Sequence, residues 1–156
     1  MKPNISFVII LLFTSITFSC QRVPITGRKQ LNLVPNALIQ AMALTEYDSF
    51  LTLTRVFPPT DQKTQMVNRV GLGIQKAVEQ YMLENNLTRQ IKDFKWEYNL
   101  VDDGIANAWC MPGGKVVVYT GLLPITQNEN GLAVVMGHEI AHAIARHGNE
   151  RIPRDY

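Results

Sequence analysis

Three observations predict an α+β fold: apolar residues recur at helical spacing before residue 85, alternate strictly from 94 to 100, and return to helical spacing after 126. The order is helix, helix, strands, helix. At 156 residues, 46% of them hydrophobic, the chain can bury one substantial core but not two.

The first twenty residues, MKPNISFVIILLFTSITFSC, set one lysine before an apolar run from Ile5 to Phe18, then Ser19 and Cys20. The layout predicts a signal peptide over residues 1–19, since the run is shorter than the about 20 residues a spanning helix needs. A cysteine directly after a small residue is similar to the bacterial lipoprotein signal. Cys20 is therefore the expected lipidation site, with a membrane as partner through the anchor and the bacterial cell envelope as location. An ordinary signal peptide and an uncleaved anchor are the alternatives. Lipidation would leave Cys110 as the one remaining thiol, so no intramolecular disulfide is expected. Residues 20–34 mix Pro24, Gly27 and three basic residues without periodicity and read as a tether.

The domain then begins at Pro35, which suits the first turn of a helix, with Leu38, Met42, Tyr47, Phe50 and Leu51 as its apolar face up to Pro58-Pro59. Asp61 can cap a second helix bearing Met66, Val70, Ile74, Ala77, Val78 and Tyr81. Its Gly71 and Gly73 are read as close packing against a neighbour. Phe94, Trp96, Tyr98 and Leu100 alternate with polar residues, as in a half-buried strand. Asp102-Asp103-Gly104 turns the chain, Ile105 to Met111 reads as extended, Pro112-Gly113-Gly114 as a tight turn, and Lys115 to Tyr119 as a β-branched strand. Thr126 and Glu129 match a capping box for a last helix reaching His147, which Gly148 would end.

That last helix holds GHEIAH, residues 137–142. Four residues advance a helix by about 400°, so His138 and His142 share one face, one turn apart, where a single tetrahedral Zn2+ could bind both. Glu139 falls about 100° round, on the flank, where a general base for water belongs. Gly137, Ala141 and Ala145 form a smooth stripe, and Met136, Ile140 and Ile144 supply bulk on another side, so a buried central helix is expected. His147 lies about 140° round from His142 and is expected outside the ligand set. A formal charge of +2 is far from the basic footprint of a nucleic-acid binder, so no nucleic acid is expected as partner.

Three ordered stretches, VPITGRKQLNLVP, NAWCMPGGKVVVYTGLL and NGLAVVMGHEIAHAIARHGNER, together resemble the HtpX-like and CAAX-prenyl-endopeptidase-like zinc metallopeptidases, in particular their bacterial lipoprotein branch. The resemblance implies a zincin-like fold, with a small antiparallel-containing sheet whose edge strand borders the cleft and a central HExxH helix. It implies that His138 and His142 bind one zinc, that Glu139 activates water, and that Val116, Val117, Val118 and Tyr119 bind substrate, an ordinary core strand being the equal alternative for these last four. It also implies endoproteolysis of envelope or membrane-associated proteins in quality control. Family members take a third ligand, a glutamate, from a later helix, whereas only Glu150 and Asp155 remain here. Residues 35–156 are therefore expected to be the N-terminal part of a metallopeptidase domain. An inactive truncated lipoprotein that binds unfolded chains without cutting them is the rival, and an envelope scaffold with an accidental HEIAH is a third reading.

Overall fold

The computed structural model describes residues 20–22, 29–31 and 36–146. The expected signal peptide at 1–19, most of the tether, and His147, Gly148, Glu150 and Asp155 lie outside the described residues. β1 (Cys20–Arg22) pairs antiparallel with β2 (Lys29–Leu31), Cys20 opposite Leu31. The tether reading held no strand, because three-residue strands are too short for alternation to register.

α1 (Asn36–Leu53) precedes a short extended stretch in which Val56 bridges Val101. α2 (Gln62–Glu84) starts where Asp61 predicts: its carboxylate accepts from the Lys63 and Thr64 amides at 2.8 and 3.1 Å. Gly71 explains itself by packing, since a Cβ there would sit 2.5 Å from the Tyr98 ring. Gly73 does not, because among the described residues nothing lies within 4 Å of its Cβ position.

β3 (Glu97–Val101), β4 (Ala108–Met111) and β5 (Lys115–Tyr119) form one sheet in the order β3-β5-β4. β5 pairs parallel with β3 and antiparallel with β4. The turn joining β4 to β5 uses positive φ at Gly113 (93°) and Gly114 (84°), which only glycine adopts freely. This order corrects the edge position expected of Val116, Val117, Val118 and Tyr119. They form the central strand, with both main-chain edges already paired, so no peptide can add to them.

Each face of the sheet carries its own core. Leu100, Ala108, Val116 and Val118 pack with Val67 and Val70 of α2, while Val101 and Val117 pack with Tyr47 of α1 on the opposite face. Burial on both faces is the physical reason for three successive valines at 116–118.

A short helix, α3 (Leu123–Thr126), leads into α4 (Glu129–Ile144). The cap of α4 is Asn128, whose side-chain oxygen accepts from the Gly131 amide at 3.0 Å. The expected capping box at Thr126 does not form: the Thr126 hydroxyl donates to the Leu123 carbonyl at 3.2 Å and so belongs to α3. α4 also stops before the expected His147. Ile144 is its last residue, and Arg146 turns the chain with φ 56°.

Candidate active site

Leu132, Met136, Ile140 and Ile144 recur every four residues along α4 and are buried against the core. The Arg69–Glu129 ion pair, 2.6 Å, ties the first turn of α4 to α2. With that stripe fixed inward, the 3.6-residue period turns His138 into the open, and leaves Glu139 and His142 half-buried. Among the described residues the expectation of a helix buried on all sides is corrected accordingly: Val134 is 73% exposed, and Gly137 has nothing within 4 Å of its Cβ position. On that side Gly137 and Ala141 line an open groove of about 270 Å³ with Ile74, Ala77, Val78 and Tyr81 of α2.

The two imidazoles converge. His142 Nε2 lies 2.9 Å from His138 Nε2, with ring centroids 4.3 Å apart and planes at 82°. Two nitrogens on a tetrahedral zinc stand about 3.3 Å apart, given Zn–N bonds of about 2.0–2.1 Å, so the pair fits the ion with a small outward shift. Imidazole nitrogen is also a donor zinc prefers. Among the described residues no group of three His, Cys, Asp or Glu side chains could hold a metal. These residues therefore contribute two donors.

The Glu139 carboxylate is near enough to Cys110 of β4 to act on its thiol. Burial, then the nearby Glu139 carboxylate, push the Cys110 thiol up to about 12, which keeps it protonated and unreactive as a nucleophile at neutral pH. Cys110 is a free, half-buried thiol packed against the core.

Among the described residues, β4 leaves open the sheet edge expected at β5. Tyr119 N–H donates to the Asn107 carbonyl at 3.0 Å. Alternation therefore turns the main-chain groups of Asn107 and Trp109 into β5 and those of Ala108 and Cys110 outward. α4 packs across the same strand. The missed signal was the alternation of small and large side chains from Ala108 to Met111, whereas three valines in a row mark a strand covered on both faces.

The family model of peptidase family M48 matches residues 72–155, more than half of the chain. The chain belongs to peptidase family M48. Among M48 relatives, the mitochondrial metalloendopeptidase OMA1 of Schizosaccharomyces pombe is 34% identical over 132 residues, which cover 83% of this chain and 36% of that protein. The Arabidopsis thaliana mitochondrial metalloendopeptidase OMA1 is 39% identical over 98 residues, 62% of this chain and 20% of that one. The β-barrel assembly-enhancing protease of Escherichia coli is 38% identical over 52 residues, 33% and 11% of the two chains. This M48 chain thus spans little more than a third of the fission-yeast relative. The expected bacterial-envelope location is overturned by these matches, because the relatives aligned over most of the chain are named as mitochondrial.

Proposed function

We propose that this chain carries the metal-binding and proton-transferring elements of a zinc-dependent metalloendopeptidase. The observation that carries the reading is the 2.9 Å convergence of His138 and His142 on one face of α4, with Glu139 on the flank towards an open strand edge. His138 and His142 would hold Zn2+ through Nε2, and the ion would supply Lewis acidity towards a peptide carbonyl and a water. A catalytic zinc takes three protein ligands, so the reading requires one more from outside the described residues.

This chain's own part in hydrolysis follows from position. Ala108 and Cys110 offer N–H and C=O groups to an extended peptide, which adds to β4 as a further strand and runs past α4. Glu139 accepts the proton of the attacking water and passes it to the leaving amine nitrogen, so the C–N bond breaks with the amine neutral. Main-chain pairing asks little of sequence, which suits polypeptide substrates in general, membrane-associated proteins in quality control included. Placement in the HtpX-like and CAAX-prenyl-endopeptidase-like branch rests on the three ordered motifs alone. Removal of residues 1–19 and acylation of Cys20 are likewise proposed, on the short apolar run and Ser19, with no compartment assigned.

The test is chelator-sensitive cleavage of casein by the purified protein, compared with its Glu139→Gln variant. Loss of cleavage with metal retained supports the reading, and equal cleavage by the variant removes Glu139 from it.

A further inference from the structure

Among the described residues β4 has a main-chain partner on one side only, so side chains must set the rest of its position. Those side chains are unequal. Ala108 and Cys110, both small, pack towards α2 and α4, whereas Trp109 and Met111, both large, pack towards α1. The small pair lets the strand backbone approach α4, and the large pair gives α1 its hold.

Trp109 is the centre of that hold. Its ring meets Phe50 edge-on at 5.1 Å and Tyr47 edge-on at 6.2 Å, and its Nε1–H donates to the Tyr119 hydroxyl at 3.3 Å. Phe50 also stacks on Tyr119 at 6.2 Å, so one α1 side chain touches both the edge strand and the central strand. α1 is itself fixed to the other two strands. The Tyr47 hydroxyl accepts from Asn99 Nδ2 at 2.6 Å, and Lys115 Nζ lies 5.5 Å from the Tyr47 ring centre while pairing with Glu97 at 2.7 Å.

We propose that Phe50 and Trp109 are positioning residues for peptide binding. From the face opposite the histidines, their contact fixes the height at which Ala108 and Cys110 present main-chain groups beside α4. The inference rests on the peptidase reading, in which those groups pair with substrate. Loosening the contact lets β4 tilt and misaligns an added peptide, while His138, Glu139 and His142 stay where α4 holds them. The effect therefore falls on substrate binding rather than on turnover.

The experiment uses the full chain with Trp96→Phe, which leaves Trp109 as its one tryptophan, titrated with an extended casein peptide and read by Trp109 emission. Phe50→Ala is expected to weaken peptide affinity about tenfold and to raise KM by a similar factor with kcat within about twofold, and Phe50→Tyr to restore both. Gly71→Ala, whose methyl meets the Tyr98 ring of β3 and not β4, controls for lost stability: it should lower the melting temperature and leave peptide affinity unchanged. Unchanged affinity in Phe50→Ala overturns the proposal, as does equal weakening by Gly71→Ala. Phe50-dependent binding by a parent that cleaves nothing supports the positioning role while removing the peptidase reading. Cleavage with KM insensitive to Phe50→Ala does the reverse, and a parent that neither binds nor cleaves removes both.

Discussion

His138 and His142 face each other Nε2 to Nε2 at 2.9 Å across one turn of α4. At that distance one ring carries the hydrogen and the other accepts it, an arrangement a metal ion replaces by drawing on both lone pairs. Either His138→Ala or His142→Ala is expected to weaken zinc binding by more than about a hundredfold, because each removes one of two nitrogens that act together. Competition with a chromogenic zinc chelator measures this. Equal affinity in either variant would place the ion elsewhere.

The two glycines of α2 should respond in opposite senses to alanine. Gly71→Ala drives a methyl into the Tyr98 ring, 2.5 Å away, and is expected to cost about 1–3 kcal/mol. Gly73→Ala meets nothing within 4 Å and gains helix propensity, about 0.5–1 kcal/mol of stability. Urea unfolding midpoints with unchanged slopes decide both.

Asn128, not Thr126, caps α4. Asn128→Ala is expected to cost about 1 kcal/mol, and Thr126→Ala, whose hydroxyl serves a four-residue helix, less than about half of that. A larger loss at Thr126 than at Asn128 would restore the capping box to the helix start.

Glu97 gives stability a dependence on acid pH. Burial alone would raise its carboxyl, but hydrogen bonds with Lys115, Tyr47 and Asn99 outweigh burial and hold it below its ordinary 4.5. A carboxyl titrating lower when folded contributes stability above about pH 4.5, and that contribution is lost as pH falls through the folded value. Glu97→Gln should therefore lower the melting temperature at pH 7 and flatten its fall below pH 4.5. An acid limb as steep as the parent's would remove Glu97 from this role.

Local chemistry was legible in the sequence wherever it depends on near neighbours. The Asp61 cap and the bounds of β5 at Lys115 and Tyr119 follow from residue type, and the shared face of His138 and His142 from spacing. Strand order did not, because it is set by contacts between residues far apart in sequence, and placing β5 between β3 and β4 moved the open edge to Ala108 and Cys110. The valine run carried that information in principle, since a strand with one solvent face alternates and Val116 to Val118 do not. The cap of α4 was misread because Thr126 and Asn128 are both good capping residues two positions apart. Burial of α4 was overestimated because its composition shows which sides are apolar, not which of them has a neighbour.

The most direct test of the account is zinc content and casein cleavage, measured on the protein and on Glu139→Gln after mild chelation, zinc restoration and dialysis. One zinc is expected in both, with chelator-sensitive cleavage by the first and cleavage reduced by at least about a hundredfold in the second. Cleavage that survives chelation or the Glu139→Gln change would contradict it, and casein bound without being cut by the parent would favour a binding role over a catalytic one.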